Sequence, residues 1–270
     1  MKKRFFSTII LAPIFLLLIW LGGYYFLASV LIIFGLCAWE FARIYDHEFR
    51  IPIFMLVVMV EIMLLLRWYL GLGAAHRIMT VCLMAAIVWG IWACEVQIPK
   101  AAVSFAVLTT GVVYIGWLGG YMISLRQADS GFWKLVLVLC LTWMNDIGAY
   151  LIGKPLGRHH ILPHVSPKKT WEGCVGGFVF TMLTAFLMEK FIPAVDVLVN
   201  WKQVLILAAM ISVVTPIGDF GESMIKRSFN VKDSSNLIPG HGGFFDRFDS
   251  VIWAMPIGYY FFEALSLNLI

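Results

Sequence analysis

Long apolar stretches alternate along the chain with short polar segments, and this alternation is the first indication of the fold. A helix of about 20 apolar residues crosses the hydrocarbon core of a bilayer. The stretches reach that length repeatedly, and charged residues, glycine pairs and prolines separate them. We therefore predict about nine membrane-spanning helices. The expected spans lie near residues 5–21, 24–42, 52–70, 78–94, 102–124, 132–152, 174–192, 202–225 and 250–268.

Composition supports the same fold class. Apolar residues make up 61% of the 270 residues and charged residues only 13%, whereas a soluble domain carries roughly 25% charged residues. So few charges cannot cover the surface of a soluble globule. We therefore expect an all-α protein, a polytopic transmembrane helical bundle that forms a single domain over residues 1–270. The net charge of +4 is small and scattered, which argues against a nucleic-acid partner.

The distribution of lysine and arginine between loops predicts the orientation in the membrane. Cytoplasmic loops carry an excess of these residues, and a cytoplasmic N-terminus places most of them on that side, including those at residues 2–4. The two longest polar segments, residues 153–173 and 226–249, then share the cytoplasmic face, where nucleoside triphosphates are found. The first apolar run continues past Gly22, so we expect a retained membrane helix and not a cleaved signal peptide.

Acidic residues are scarce within the apolar segments, so their positions are informative. Asp146 lies inside one predicted span, and Asp219 and Glu222 lie near the end of another. A carboxylate at the bilayer centre costs roughly 2.5–3.5 kcal/mol, so it normally faces protein, water or an ion. The alternative is a buried carboxylate that pairs with a base for helix packing. For Glu222, an ordinary ion pair with Lys226, four residues further on, is an equally good interpretation.

Helical spacing extends the polar face around Asp219 and continues it into a glycine-rich segment. Residues three, four and seven apart share one side of a helix, which groups Asp219 with Ser223, Lys226 and neighbouring polar residues. The following segment ends in two acids three residues apart, Asp246 and Asp249. Close carboxylates repel one another unless a cation lies between them, and hard oxygen ligands suit Mg²⁺. The alternative for this acid pair is a favourable interaction with a helix N-terminus.

The other polar segment contains SPKKTWEG, which begins at Ser166. Lys168 and Lys169 offer positive charge to phosphate groups, and Ser166 offers a hydroxyl donor. The alternative is a basic loop beside the membrane that contacts anionic lipid. The histidines of residues 159–164 are interpreted as exposed loop residues and not as metal ligands.

Residues 223–249 resemble the signature of the phosphatidate cytidylyltransferase family. The chain keeps the pattern S-x-x-K-R-x4-K-D-x-S-x2-I-P-x-H-G-G-x2-D-R-x-D without a gap. The SPKKTWEG segment and Asp146 also resemble family features. The first four or five spans carry little motif, and there the chain resembles the family only in its multi-span hydropathy. The resemblance implies that CTP and phosphatidate react to give CDP-diacylglycerol and pyrophosphate for phospholipid biosynthesis.

The resemblance also implies cofactors, partners and site residues. It implies a divalent metal, usually Mg²⁺, with a second, monovalent cation as an option, and a homodimer. No organellar transit signal is evident in the sequence, so we expect a multi-pass protein of the bacterial inner membrane. The expected metal ligands are Asp219, Asp246, Asp249 and Asp146. The expected catalytic residues are Asp219, Asp246, Lys226 and His241. The expected substrate-binding residues are Ser166, Lys168, Lys169, Ser223, Arg227, Lys232, Gly242, Gly243 and Arg247.

Three other functions fit parts of the pattern. A CDP-alcohol phosphotransferase also places acids at membrane helices, but its DG-x2-A-R run is absent from this sequence. A lipid kinase that uses CTP does not account for the 223–249 signature. An ion-coupled transporter would have inverted repeats and broken helices in both halves, whereas the ionisable residues here concentrate towards one end of the chain.

Overall fold

Helices form most of the structure. The computed structural model describes residues 2–238 and 242–269. The helices are α1 (Lys2–Leu21), α2 (Gly23–Phe49), α3 (Ile53–Glu95), α4 (Ala101–Gly111), α5 (Tyr121–Gln127), α6 (Gly131–Leu156), α7 (Trp171–Phe191), α8 (Pro193–Asp196), α9 (Trp201–Ser228) and α10 (Phe245–Ser266). A π-helix (Val112–Leu118) lies between α4 and α5, and the strands β1 (His160–Leu162) and β2 (Ser166–Thr170) precede α7.

Within residues 2–238 and 242–269, seven helical segments are long and apolar enough to cross a membrane. They are Gly23–Asp46, Ile53–Gly73, Ala75–Glu95, Ala101–Gln127, Gly131–Leu156, Trp171–Phe191 and Trp201–Ser228. Large apolar side chains such as Phe54 and Val81 are exposed on them, as expected where lipid is the solvent. The prediction of an all-α, polytopic membrane protein is confirmed. The count of nine spans and the cytoplasmic N-terminus remain predictions.

The longest helix, α3, consists of two spans joined at a glycine. Gly71 has a φ of 73° and a ψ of −172°, a conformation that residues with a Cβ rarely adopt. The regular helical hydrogen bonding is therefore interrupted at this point. The sequence predicts separate spans near 52–70 and 78–94, and the structure has two candidate spans there, Ile53–Gly73 and Ala75–Glu95, within one helix.

The chain divides into two compact units. The first unit comprises Met1–Ser124 and Ser228–Phe248, and the second comprises Leu125–Arg227 and Asp249–Ile270. The prediction of a single domain over residues 1–270 stays a prediction.

Aromatic packing fixes the beginning of α10 within the first unit. The rings of Phe41 on α2 and Phe245 on α10 lie 5.8 Å apart at 88°, and both side chains are fully buried. Tyr114 of the π-helix makes a similar edge-to-face contact with Phe245 at 5.7 Å. Such edge-to-face pairs stabilise a core beyond the area that they bury. The first turn of α10 is thus anchored to two other helices of its unit.

Glycines allow α6 and α7 to pack closely within the second unit. A Cβ at Gly148 would lie 2.6 Å from the Cβ of Phe180 and 2.8 Å from the carbonyl oxygen of Gly176. A Cβ at Gly176 would overlap the side chain of Ile152. Small residues at such positions let two membrane helices approach backbone to backbone. The contact holds the two ends of the intervening segment, residues 157–170, close together.

A two-stranded antiparallel hairpin forms within the polar segment that joins α6 to α7. β1 and β2 pair His160 with Thr170, and a register irregularity follows towards the turn. Thr170 is also the N-cap of α7, because its Oγ1 accepts a hydrogen bond of 3.2 Å from the Gly173 N–H. The sequence predicts only a polar loop here. The strands arise because the N-cap and the glycine contacts hold both ends of the segment side by side.

Between α9 and α10, the described residues 229–238 and 242–244 belong to no helix or strand. Ile238 and Gly242 form a backbone bridge in which the Ile238 N–H donates to the Gly242 carbonyl oxygen at 2.9 Å. Because α10 begins at Phe245, Asp246 lies in its first turn. The structure therefore confirms that the two acids of the motif sit at the start of a helix.

Candidate active site

Lys169 and Asp219 form an ion pair within the second unit. The Nζ atom of Lys169 lies 2.6 Å from Oδ2 of Asp219, and the two side chains are 25% and 28% exposed. Lys169 belongs to β2, whereas Asp219 belongs to the C-terminal half of α9. The same ammonium lies 5.4 Å from the ring centre of Phe220. The hairpin therefore directs this lysine onto α9 and not into solvent.

Two further carboxylates lie within electrostatic range of this ion pair. Asp146 on α6 and Asp249 on α10 both attract the Lys169 ammonium, and Asp249 also interacts with the carboxylates of Asp219 and Asp146. Asp249 is buried, with 7% of its surface exposed. Three helices thus contribute one carboxylate each, and β2 contributes the cation. These four residues, Asp146, Lys169, Asp219 and Asp249, are termed the acidic cluster.

The pKa of Lys169 reflects two opposing effects. Burial lowers the pKa because it disfavours the charged ammonium, while attraction to Asp219 and then to Asp146 raises it. The attraction is the stronger effect overall, so the pKa lies above its ordinary value and the side chain is charged at neutral pH. Three carboxylates face this single ammonium, and negative charge is therefore in excess within the cluster.

Local packing and hydrogen bonds orient the carboxylates of the cluster. Gly218 lets α9 approach α10, since a Cβ there would lie 2.7 Å from the carbonyl oxygen of Asp249. The Ser250 N–H donates to Oδ1 of Asp249 at 2.6 Å. The Ser223 hydroxyl donates to Oδ1 of Asp219 at 3.2 Å. Asp219 is therefore held through both of its oxygens, one by Ser223 and the other by the lysine.

The donors of the acidic cluster fit a hard divalent cation. Mg²⁺ prefers carboxylate, phosphate and water oxygens, and the Lys169 ammonium already places a positive charge against Asp219. Across residues 2–238 and 242–269, no three His, Cys, Asp or Glu side chains come close enough together to form a metal site by themselves. Mg²⁺ commonly keeps several waters and binds through one or two carboxylates together with substrate phosphates. The carboxylates present are sufficient for binding of that kind.

The other predicted residues of the second unit have different environments. Lys226 is buried and donates to Oε2 of Glu222 at 2.8 Å, so the interpretation of these two residues as a helical ion pair is confirmed. Lys168 on β2 is exposed, Ser166 at the start of the same strand is half-buried, and Arg227 near the end of α9 is exposed. The substrate-binding roles of these residues, and the catalytic role of Lys226, stay predictions.

Asp246 organises the turn that leads into α10 within the first unit. Its Oδ2 accepts hydrogen bonds from the Gly243 N–H at 2.7 Å, the Ser234 N–H at 2.9 Å and the Ser234 hydroxyl at 2.8 Å. Gly242 has a φ of 83° and lies against this carboxylate, so glycine is strongly favoured there. The sequence predicts that Gly242 and Gly243 face a ligand. In the structure they shape the loop around Asp246.

Glu40 on α2 is a candidate that the sequence reasoning missed. It is fully buried and accepts four hydrogen bonds, all from one loop. The donors are the Ser234 hydroxyl at 2.9 Å, the Ser235 hydroxyl at 2.5 Å, the Phe244 N–H at 3.1 Å and the Phe245 N–H at 2.7 Å. The available signal was an acidic residue inside the second predicted span, the same signal that identified Asp146.

Two of the remaining predicted residues lie on the surface of the first unit. Lys232 and Arg247 are exposed in the first unit. His241 lies outside the described residues, and its catalytic role stays a prediction. Asp219 and Asp246 belong to different units, so their joint ligation of one metal ion also stays a prediction.

Comparison with known proteins identifies similar sequences. The profile of a family described as "Cytidylyltransferase family" matches residues 2–265. A protein of Bacillus subtilis named phosphatidate cytidylyltransferase is 36% identical over 160 residues, which cover 59% of this chain and 58% of that protein. Proteins of the same name from Staphylococcus epidermidis and Staphylococcus aureus are 36% and 37% identical over 146 residues, 54% of each chain. The chain thus matches these curated relatives over somewhat more than half of their length.

Proposed function

The chain belongs to the cytidylyltransferase family, and on that premise we propose that it transfers a cytidylyl group from CTP to phosphatidate. The products are CDP-diacylglycerol and pyrophosphate, which serve phospholipid biosynthesis. The names of the bacterial relatives support this pair of substrates. The structural observation that carries the proposal is the acidic cluster, in which the Lys169 ammonium on a basic hairpin contacts Asp219 and is attracted by Asp146 and Asp249.

The proposed reaction joins two anions. A phosphate oxygen of phosphatidate attacks the α-phosphorus of CTP and forms a new P–O bond. The bond from the α-phosphorus to the oxygen that bridges it to the β-phosphorus breaks, and pyrophosphate leaves with that electron pair. Phosphoryl-type transfer depends mainly on charge neutralisation and alignment of the reacting groups. A site rich in carboxylates and basic side chains, which hold metal and phosphate respectively, suits this requirement.

We assign Mg²⁺ to the acidic cluster, where one or two of the carboxylates of Asp219, Asp249 and Asp146 would hold it together with substrate phosphates. When bound, the ion supplies positive charge to phosphate oxygens as a Lewis acid. The ligand role of Asp246, which belongs to the first unit, stays a prediction. The second, monovalent cation is proposed only from the family resemblance.

Lys169 has two kinds of partner in this proposal. Without substrate its ammonium neutralises Asp219, as the 2.6 Å contact indicates. With substrate it neutralises a phosphate oxygen, and Asp219 is then available to the metal. Lys168, exposed on the same strand, meets the triphosphate first from the aqueous side. The further phosphate-binding residues proposed in the second unit are Ser166, Ser223 and Arg227. The substrate-binding roles of Lys232 and Arg247, which belong to the first unit, stay predictions.

The membrane supplies the second substrate. The acyl chains of phosphatidate remain in lipid while its phosphate reaches the polar segments, and CTP enters from the cytosol. Because the relatives are bacterial, we propose the bacterial inner membrane as the location, with the N-terminus in the cytoplasm. Assembly as a homodimer is proposed from the family resemblance.

A direct assay tests the proposed function. The purified protein in detergent is incubated with CTP labelled at the α-phosphate, phosphatidate and Mg²⁺. We expect labelled lipid and pyrophosphate in equal amounts, and neither product when phosphatidate or Mg²⁺ is omitted. Transfer of the γ-phosphate to lipid would replace the proposal with a kinase activity. An absence of both products from protein that is folded and fully metal-loaded would overturn it.

A further inference from the structure

We propose that Glu40 is a positioning residue. It holds the carboxylate of Asp246 and the first turn of α10 in the hydrogen-bonded arrangement that the structure shows. The link to catalysis rests on the proposed function, because Asp246 is a predicted catalytic residue. The positioning itself rests on contacts within the first unit and is measurable without turnover.

Glu40 holds the loop by hydrogen bonds from both backbone and side chains. Its Oε2 accepts from the Phe245 N–H at 2.7 Å and from the Ser234 hydroxyl at 2.9 Å. Its Oε1 accepts from the Phe244 N–H at 3.1 Å and from the Ser235 hydroxyl at 2.5 Å. A side chain from α2 thus joins two parts of the loop that are about ten residues apart in sequence.

Electrostatics favour a carboxylate at this position. The N–H groups at the start of a helix lack partners within the helix and carry partial positive charge, so a negative group is stabilised there. Burial of a carboxylate is costly unless several donors compensate for lost water. Glu40 is fully buried and has four donors. Its carboxylate therefore acts in place of a capping side chain for α10, although it comes from another helix.

Ser234 connects Glu40 to Asp246. Its hydroxyl lies 2.9 Å from Oε2 of Glu40 and 2.8 Å from Oδ2 of Asp246. One hydroxyl proton serves one acceptor at a time, so the two carboxylates share this donor. The Ser234 N–H donates to Asp246 as well. Displacement of Ser234 through loss of Glu40 therefore changes the hydrogen bonds of the Asp246 side chain directly.

The close fit around Gly243 supports the same inference. A Cβ at Gly243 would overlap both the Ser234 hydroxyl and the Glu40 carboxylate. The Gly243 N–H is itself a donor to Asp246 at 2.7 Å. Glu40, Ser234 and Asp246 therefore form one buried network that closes on the backbone of Gly243, and the position of each member depends on the others.

Four variants separate positioning from general stability. Glu40→Gln removes the negative charge with little change in volume. Ser234→Ala removes the hydroxyl shared by both carboxylates, while Ser235→Ala removes a hydroxyl that contacts Glu40 alone. Glu61→Gln is the matched control for Glu40→Gln, because Glu61 is a carboxylate of α3 in the same unit whose Oε1 lies against Gly35.

Hydrogen exchange tests the positioning without reference to turnover. In Glu40→Gln we expect exchange of the amides at residues 242–250 to be faster by about tenfold or more, since a charge-assisted hydrogen bond is worth more than a neutral one. The unfolding temperature should change no more than it does in Glu61→Gln. Unchanged exchange in Glu40→Gln would overturn the proposal.

Steady-state kinetics test the connection to catalysis. In Glu40→Gln and Ser234→Ala we expect kcat to fall by about tenfold or more while KM for CTP changes less than about threefold, because the groups hold a catalytic side chain and do not bind nucleotide. Ser235→Ala should keep the kcat of the wild type. In the double variant Glu40→Gln/Ser234→Ala, the fold decrease in kcat should be smaller than the product of the two single-variant decreases, because both changes act through Asp246. An equal decrease in kcat in Ser234→Ala and Ser235→Ala would overturn the inference that Ser234 connects Glu40 to Asp246. If the wild type lacks the proposed activity, the exchange experiment still decides the positioning.

Discussion

The ammonium of Lys169 lies 2.6 Å from Oδ2 of Asp219, so an ion pair joins a β-strand to a membrane helix. Removal of either partner leaves the other in a partly buried site beside unbalanced charge. The pair is also the point at which a bound cation and the protein's own cation would compete for one carboxylate. The behaviour of the pair therefore reports on the acidic cluster as a whole.

Replacement of the lysine should strengthen metal binding in the absence of substrate. Lys169→Met removes the ammonium that competes for Asp219, and we expect Mg²⁺ affinity to rise by about threefold to tenfold, as measured by titration calorimetry. Turnover should fall, because the phosphate loses its positive partner. Lys168→Met is the control, since this side chain is exposed and should leave metal affinity unchanged. Weaker Mg²⁺ binding in Lys169→Met would contradict the proposed competition.

Replacement of the aspartate should abolish turnover without loss of the protein from the membrane. For Asp219→Asn we expect kcat to fall by about a hundredfold or more, because the variant loses both a metal ligand and the partner of Lys169. Incorporation of label from CTP into lipid measures the loss, and the amount of protein extracted from membranes controls for insertion. Asp196→Asn, on α8 and outside the acidic cluster, should behave like the wild type. Full activity in Asp219→Asn would contradict the assignment of metal to this cluster.

The N-cap of α7 should contribute measurably to stability. Thr170 is buried and its hydroxyl oxygen accepts from the Gly173 N–H. Thr170→Val keeps the shape and removes the acceptor, so we expect a loss of about 1 kcal/mol in the free energy of unfolding. Thr170→Ser retains the oxygen and should keep most of the wild-type free energy of unfolding. Equal unfolding midpoints for the Val and Ser variants would show that the cap contributes nothing.

The glycine contact between α6 and α7 should be intolerant of any side chain. Gly176→Leu forces α7 away from Ile152, and we expect destabilisation of about 3 kcal/mol or more from overpacking and lost helix contact. Thermal unfolding in detergent measures the effect. Gly73→Ala on α3 is the control for a glycine that tolerates a side chain, since a Cβ there meets nothing within 4 Å. Ala in place of Gly within a helix should be neutral or stabilise by up to about 1 kcal/mol.

The span pattern could be predicted because lipid imposes a simple rule on the sequence. Each spanning helix must satisfy its own backbone hydrogen bonds and expose apolar side chains, so apolar length alone locates segments such as Gly131–Leu156. The hairpin does not follow from such a rule. Its strands carry the sequences HIL and SPKKT, which lack an apolar alternation. They pair because residues distant in sequence, such as Gly148 and Phe180, bring α6 and α7 together.

The same distinction applies to the candidate site. The cost of acids in apolar segments identifies Asp146 and Asp219, and the close pair with Asp246 identifies Asp249. In the structure all three interact electrostatically with Lys169. The partner of Asp219 was not predicted, because helical spacing groups residues only within one helix. Glu40 was missed for a related reason. Its partners lie about 200 residues away in the sequence, and no local pattern connects them.

The position of Lys169 on a paired strand has a thermodynamic consequence for substrate capture. Immobilising the backbone of one residue costs about 1–2 kcal/mol in conformational entropy, and a lysine on a flexible loop would incur that loss each time a nucleotide arrives. The ladder between β1 and β2 orders this stretch of backbone when the chain folds. This loss of freedom therefore occurs on folding, and under the proposed function the affinity for each incoming triphosphate would be greater than with a lysine on a flexible loop.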